Sequence, residues 1–139
     1  MEPQPFRMTV EAGKVREFAL ATRSSDPEHL GADPVSPPTF LQSSTWWQGP
    51  ENSPWQGIAR DYSRLLHGAQ EMEFFGEPPS AGSELEGLAR IDKTYEKAGK
   101  RGGTMTFTDV VIDFREVATG RLVATSRNTS IETSKVVES

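Results

Sequence analysis

No cysteine occurs in this chain. Disulfides, thiolate nucleophiles and cysteine zinc sites are therefore excluded. Histidine is almost as scarce. His29 and His67 are the only two, too few for a three-histidine zinc centre. His67 and Glu71 stand four apart, but in a segment with strand character, where they share a side without forming a helical metal pair. No metal site and no cofactor are expected. Long apolar runs are missing too: none approaches the about 18 residues that a membrane span needs. The first ten residues, MEPQPFRMTV, lack a basic region followed by an apolar stretch. A cytoplasmic protein without membrane contact is the expectation.

An excess of basic charge is also absent. Fifteen Lys and Arg face 20 Asp and Glu, a net charge of −5, whereas nucleic-acid binding needs a positive footprint. The densest basic cluster, Lys97, Lys100 and Arg101, reads as a solvated hairpin turn. Hydrophobic residues make up 35% of the chain, a low share that points to a core completed by a partner surface. The length of 139 residues suits one domain, taken as residues 1–139 with its core at about 6–134.

What is present divides into a helical half and a strand half. FRMTV at 6–10 reads as a short strand. In 11–22, Val15, Phe18, Ala19 and Thr22 recur at helical spacing on one face. Pro27, Pro34, Pro37 and Pro38 keep 23–38 irregular. In 39–47, Phe40, Leu41, Ser44 and Trp47 have helical spacing behind a Pro37-Pro38 start. Residues 48–56 read as loop, and a short helical piece is expected near 56–63.

From 65 the period becomes two. In 65–75, Leu66, Gly68, Gln70, Met72 and Phe74 share a face. In 83–97, Leu85, Ala89, Ile91 and Tyr95 oppose a polar face broken by Leu88. Residues 104–117 are rich in strand formers. Their apolar side switches near Thr108-Asp109, which predicts a β-bulge or burial on both faces. Residues 121–134 alternate through Val123, Thr125, Thr129 and Ile131. Turns are expected at 76–82, 98–103 and 118–121, and KVVES at 135–139 reads as a frayed tail. The layout is α+β, with helices segregated to one face of an antiparallel sheet.

One stretch, SSDPEH at 24–29, admits two readings. Asp26, Pro27 and Glu28 suit an N-cap, a first helical position and the positive end of a helix dipole. Asp26 and His29 also have the residue types of an acid–base pair.

The order and wording of several segments resemble the MaoC-like hotdog dehydratases, especially their N-terminal dehydratase-type members. FALATRSSDPEH, SPPTFL, LLHGAQEMEFFGEPPSAGSEL and YEKAGKRGGTMTF carry the resemblance, which spans about residues 6–134. It implies a hotdog fold, a curved antiparallel sheet wrapped around a helix, in dimers or tandem pairs. It implies reversible water loss from (3R)-hydroxyacyl thioesters of coenzyme A or acyl carrier protein. With one hotdog here, a partner subunit is implied, as a homodimer or as a heterodimer with a second hotdog.

The family's motif is Asp-x-Asn-Pro-x-His. Its histidine and aspartate share acid–base work on one water, and a backbone amide polarises the thioester carbonyl. Imidazole suits such proton transfer at neutral pH, and a preorganised N–H suits the developing oxyanion. Aligned on this chain, His29 and Pro27 match. Ser24 stands in place of the aspartate, and Asp26 stands at the asparagine. Ser24, Asp26 and His29 are thus the candidate catalytic residues. Near the thioester oxygen, Pro37 and Pro38 have no N–H, which leaves the amides of Thr39 and Phe40. Trp46, Trp47 and Trp55 are candidates for an acyl pocket or for aromatic core or interface packing, and His67 for a substrate contact, for sheet packing or for a dimer contact. The readings left open are a dehydratase, a non-catalytic subunit that shapes a partner's acyl pocket, and a thioesterase or thioester-binding module.

Overall fold

The computed structural model describes residues 2–101 and 103–134; KVVES, read above as a tail, lies outside the described residues. The strands are β1 (Phe6–Thr9), β2 (Leu65–Phe74), β3 (Glu84–Ala98), β4 (Thr104–Glu116) and β5 (Leu122–Glu132). All pair antiparallel in one curved sheet of order β1-β3-β4-β5-β2. The short β1 and the longer β2 are its edges. Helices α1 (Ala12–Ala21) and α2 (Pro27–Leu30) lie between β1 and β2 in the chain. Thus the segment at 23–38 is loop interrupted by one short helix.

The core forms where β1 crosses β3 and where the helical half covers the sheet. Phe6, Met8 and Val10 turn inward from β1, and Val15 from α1, to meet Leu85, Phe114, Phe40 and Leu41. Phe6 meets Phe114 edge-on at 6.1 Å, and Phe18 of α1 meets Phe40 edge-on at 5.6 Å. Each such side chain contributes about 1.5–3 kcal/mol through burial. Phe6 fits because its register partner is Gly87. A Cβ at 87 would stand 2.2 Å from the Phe6 ring.

Residues 40–47 are a 3-10 helix rather than the predicted α-helix, although Phe40, Leu41 and Ser44 are buried as the spacing required. The Phe40 amide donates to Pro37 O and the Gln42 amide to Thr39 O, both three residues back. The Ser43 hydroxyl then takes the Phe40 carbonyl at 2.7 Å, in competition with the bond an α-helix would make there. The helical piece expected near 56–63 is only a 3-10 turn at Tyr62–Arg64.

Besides the bulge that sets Val123 of β5 into the core, off the face of Thr125, Thr129 and Ile131, two bulges change which side chains share a face. β3 gains a residue between Ile91 and Lys93, and β2 gains one between His67 and Ala69. A bulge moves every later side chain to the other side of the sheet. Tyr95 therefore leaves the inner face of Leu85, Ala89 and Ile91 and stacks on outer Phe107, centroids 5.1 Å apart. Leu66 is likewise outside, opposite Ile131, while Gln70, Met72 and Phe74 face inward. β4 itself keeps regular register through Thr108 and Asp109. Its apolar switch reflects burial on both faces: Thr108 is 7% exposed, Asp109 4% and Val111 1%.

Both bulges flank one row, Lys93–Asp109–Thr129–Ala69. Asp109 accepts from the Thr129 hydroxyl at 2.7 Å and from Arg127 at 3.2 Å, with Lys93 Nζ at 3.7 Å. Arg127 also meets Asp92, the bulge residue of β3, at 2.9 Å. The hydrogen bond to Asp92, with the nearby Asp109 charge, raises the Arg127 pKa and keeps the guanidinium charged.

Four substitutions test this packing. Gly87→Ala is expected to cost about 1–3 kcal/mol in urea unfolding, because the Phe6 ring must move. Gly13→Ala, with open space around it on exposed α1, is expected to gain about 0.5–1 kcal/mol. Asp109→Ala is expected to cost about 1–3 kcal/mol by stripping Thr129 and Arg127 of a buried acceptor. Asp92→Ala, at a side chain 37% exposed, is expected to cost less in the same measurement.

Candidate functional site

Helix α1 ends where Arg23 adopts a left-handed φ of 59° and the Ser24 amide donates back to Ala19 O at 2.8 Å. That reversal launches SSDPEH as a separate loop and helix start. The Ser24 hydroxyl accepts from the Asp26 amide at 3.3 Å. One Asp26 carboxylate oxygen accepts from the Glu28 amide at 3.0 Å, which makes Asp26 the N-cap of α2 with Pro27 behind it. The helix-start reading of this stretch therefore describes its geometry.

His29 is more enclosed, its side chain 13% exposed against 52% for Asp26. Its Nδ1–H donates to Val35 O at 2.6 Å, and the Val35 amide donates to Glu28 O at 2.8 Å. The two bonds clamp α2 to the chain entering 36–39. A backbone carbonyl only accepts, so the neutral ring keeps its lone pair on Nε2. That nitrogen stands 3.9 Å from the second Asp26 oxygen, too far for a hydrogen bond. A base nitrogen and a carboxylate are neighbours here without being a bonded dyad. Among the described residues, no three His, Asp or Glu side chains stand close enough to share a metal ion.

The other candidates scatter. The Phe40 amide is spent on Pro37 O at 3.0 Å, and the Phe40 ring is core. Thr39 is exposed, and its amide has no protein acceptor among the described residues. Trp46 is 84% exposed. With the half-buried Trp47 it lines a shallow recess against Lys14, Glu17 and Phe18 of α1. Trp55 lies elsewhere, against the inner face of the sheet.

That inner face holds a feature the motif search missed. Residues 41–55 roof a cavity of about 300 Å³ whose floor includes Ala89, Val110, Ile112, Gln70, Ser126 and Asn128. Its floor is wired together: Gln70 donates to the Ser126 hydroxyl at 2.8 Å, and Asn128 donates to Gln70 at 3.2 Å. The Asn128 amide also donates to His67 Nδ1 at 3.0 Å, because the bulge after His67 turns that ring inward. His67 thus extends this polar chain rather than packing apolar sheet. A sequence signal existed: Ser126, Asn128 and Ser130 repeat at period two opposite the Thr125, Thr129 and Ile131 set. The roof is fastened at both ends. Asn52 binds Gln4 O and Pro5 O at 2.9 and 3.2 Å beside β1. Arg64 binds Glu132 at 2.7 Å and Asp61 at 2.9 Å. The Ser63 hydroxyl, then Arg64, lower the pKa of Asp61 at that end.

A five-stranded antiparallel sheet of this order, roofed by short helices, defines a hotdog domain. The chain superposes on the HadBC (3R-hydroxyacyl-ACP dehydratase) complex from Mycobacterium tuberculosis with a TM-score of 0.68 and 18% identity, covering 94% of this chain and 96% of that one. It superposes on a MaoC-like dehydratase from Phytophthora capsici with a TM-score of 0.67 and 17% identity, over 99% of this chain and 48% of that one. Likeness at such identities shows the fold. The family described as FAS1-like, dehydratase domain region, matches residues 1–126, and the chain belongs to it. It is 30% identical over 122 residues to a UPF0336 protein of Streptomyces griseus subsp. griseus, covering 81% of this chain and 77% of that one.

The cap geometry is testable. Asp26→Ala is expected to cost about 0.5–1 kcal/mol in thermal or urea unfolding, the low end for an exposed cap. Asp26→Ser, which can also accept from the Glu28 amide, is expected to restore most of that loss.

Proposed function

We propose that this chain is one subunit of a hotdog pair acting on (3R)-hydroxyacyl or enoyl thioesters of coenzyme A or acyl carrier protein. It supplies scaffold and part of the ligand chamber, while its partner supplies the complete acid–base pair. One observation carries this reading. The carboxylate nearest His29 is committed to the Glu28 amide and stands 3.9 Å from Nε2, and the motif's aspartate position holds Ser24. Dehydration needs one group to take the proton beside the thioester and one to protonate the departing hydroxyl. Displacement of either by an ångström costs about 100-fold in rate.

The family membership and the HadBC likeness, itself to a complex, support pairing with a second hotdog. So does β2, an edge strand of ten residues that is exposed from Leu66 to Ala69. Such an edge offers unpaired N–H and C=O groups to a neighbouring strand. A second reading, a homodimeric dehydratase using His29 and Asp26, rests on the free Nε2 facing a carboxylate.

Purified chain alone is expected to give no hydration of crotonyl or longer enoyl coenzyme A thioesters. Activity is expected when a hotdog protein with an intact Asp-x-Asn-Pro-x-His motif is added, with both chains in one two-subunit species by native mass spectrometry. Turnover by the chain alone that disappears in His29→Ala would establish the second reading instead.

A further inference from the structure

The inner face of the sheet carries a second cavity, of about 180 Å³, in line with the first. The register shows the continuity. The first chamber ends at the cross-strand pair Val110–Asn128; the next inward pairs, Thr108–Ser130 and Thr106–Glu132, line the second. One groove therefore runs along β4 and β5. Among the described residues, Trp55 is the one that lines both chambers, so its indole sits at the boundary. The indole is held there. The Arg60 guanidinium lies 3.7 Å from the centre of the Trp55 ring, and Arg60 donates to the Ser130 hydroxyl of the floor at 2.7 Å. A cation–π contact this close, backed by a charge-assisted hydrogen bond, fixes a side chain that a loop alone would leave free to turn.

We propose that Trp55, pinned by Arg60, is a partition that closes the first chamber and sets the length of chain the protein accepts. The first chamber is neutral. Gln70, Ser126 and Asn128 of its floor and Ser44, Thr45 and Gln48 of its roof offer hydrogen bonds beside the apolar Leu41, Ala89 and Ile112. A purely hydrocarbon ligand would strip water from these groups and replace none of their bonds. The matching ligand is a short neutral chain that carries an amide, hydroxyl or thioester carbonyl. Beyond Trp55 lies room for a longer tail, over Ile91, Leu65 and Ile58, available once the indole moves. Only the thioester identity of the natural ligand rests on the function proposed above; the partition rests on the groove itself.

The test uses a carrier-free series, N-alkylacetamides from propyl to decyl, titrated into the full chain by calorimetry, with the matching acyl coenzyme A series alongside. In the unaltered protein, affinity is expected to rise with each methylene and then fall at a fixed length. Trp55→Ala is expected to move that length upward, tightening the decyl member about tenfold relative to the unaltered protein and leaving the propyl member within about threefold. Arg60→Ala keeps the indole but frees it, and is expected to shift the limit in the same direction, so the inference stands even where Trp55→Ala fails to fold. An unchanged length limit in a folded variant overturns the partition, as does the absence of any limit or of any amide binding in the unaltered chain. Amides that bind with a Trp55-dependent limit while acyl coenzyme A does not bind would uphold the partition and remove the thioester reading.

Discussion

The fold turns on one buried carboxylate. Asp109 lies on the outer face of the central strand, 4% exposed, in a position where an unpaired charge would cost several kcal/mol. It is tolerable because Thr129 and Arg127 both donate to it and Lys93 stands close by. Those partners come from the two neighbouring strands, and the extra residue in β3, Asp92, meets the same Nη1 of that guanidinium. The bulges in β2 and β3 are thus tied to a single row. Bulges bend strands and increase their twist, so the network fixes where the sheet curves. A hydrophobic residue at 109 would remove the desolvation cost but also the reason for Asp92 to stay out of the ladder.

The bend has a consequence on the opposite face. Beyond it, β3 presents Thr94 inward where unbroken alternation would have presented Lys93 or Tyr95, and β2 presents His67 and Leu65. The inner face past Ile112 becomes a lane of hydroxyl and amide side chains with few large apolar groups, so no helix can bury itself there by hydrophobic packing. The 3-10 helix of 40–47 packs Phe40 and Leu41 at the apolar end and roofs the first chamber as far as Thr45, and a loop roofs the remainder. A roofed chamber over a polar floor is the direct result.

Strand existence and order of elements were legible in the sequence because period-two alternation over ten or more residues has few rival explanations. Gly87 was silent, although it decides how Phe6 seats, because its meaning lies in a residue 81 positions away, as the Phe6–Gly87 register shows. The bulges were half legible. The parity change in β4 was real, yet it marked burial on both faces, while the inserted residues sat in the neighbouring strands. A single chain of letters records side-chain parity, but which of two paired strands absorbs an extra residue depends on the partner. The 3-10 helix was misread for a local reason: Ser43 competes for a carbonyl, which spacing of apolar residues cannot report. The inner-face network of Gln70, Ser126 and Asn128 was overlooked because amides and hydroxyls on a strand resemble solvent-facing residues until the roof is in place.

The candidate dyad shows how fold and chemistry compete for one side chain. A carboxylate three residues before a histidine, with proline between, is a good N-cap and a passable acid–base neighbour, and both uses want the same oxygen atoms. Here the Glu28 amide holds one oxygen, and the other stays outside hydrogen-bond range of Nε2. His29 is committed on its other nitrogen to Val35, and so holds α2 against the chain that leads to the 3-10 helix. In this stretch Ser24, Asp26 and His29 each hold a structural hydrogen bond. Drawing Asp26 off the Glu28 amide would cost α2 its cap, and that cap steadies the turn that holds His29 to Val35. The local stability of this loop and its capacity for acid–base chemistry therefore oppose each other in this chain.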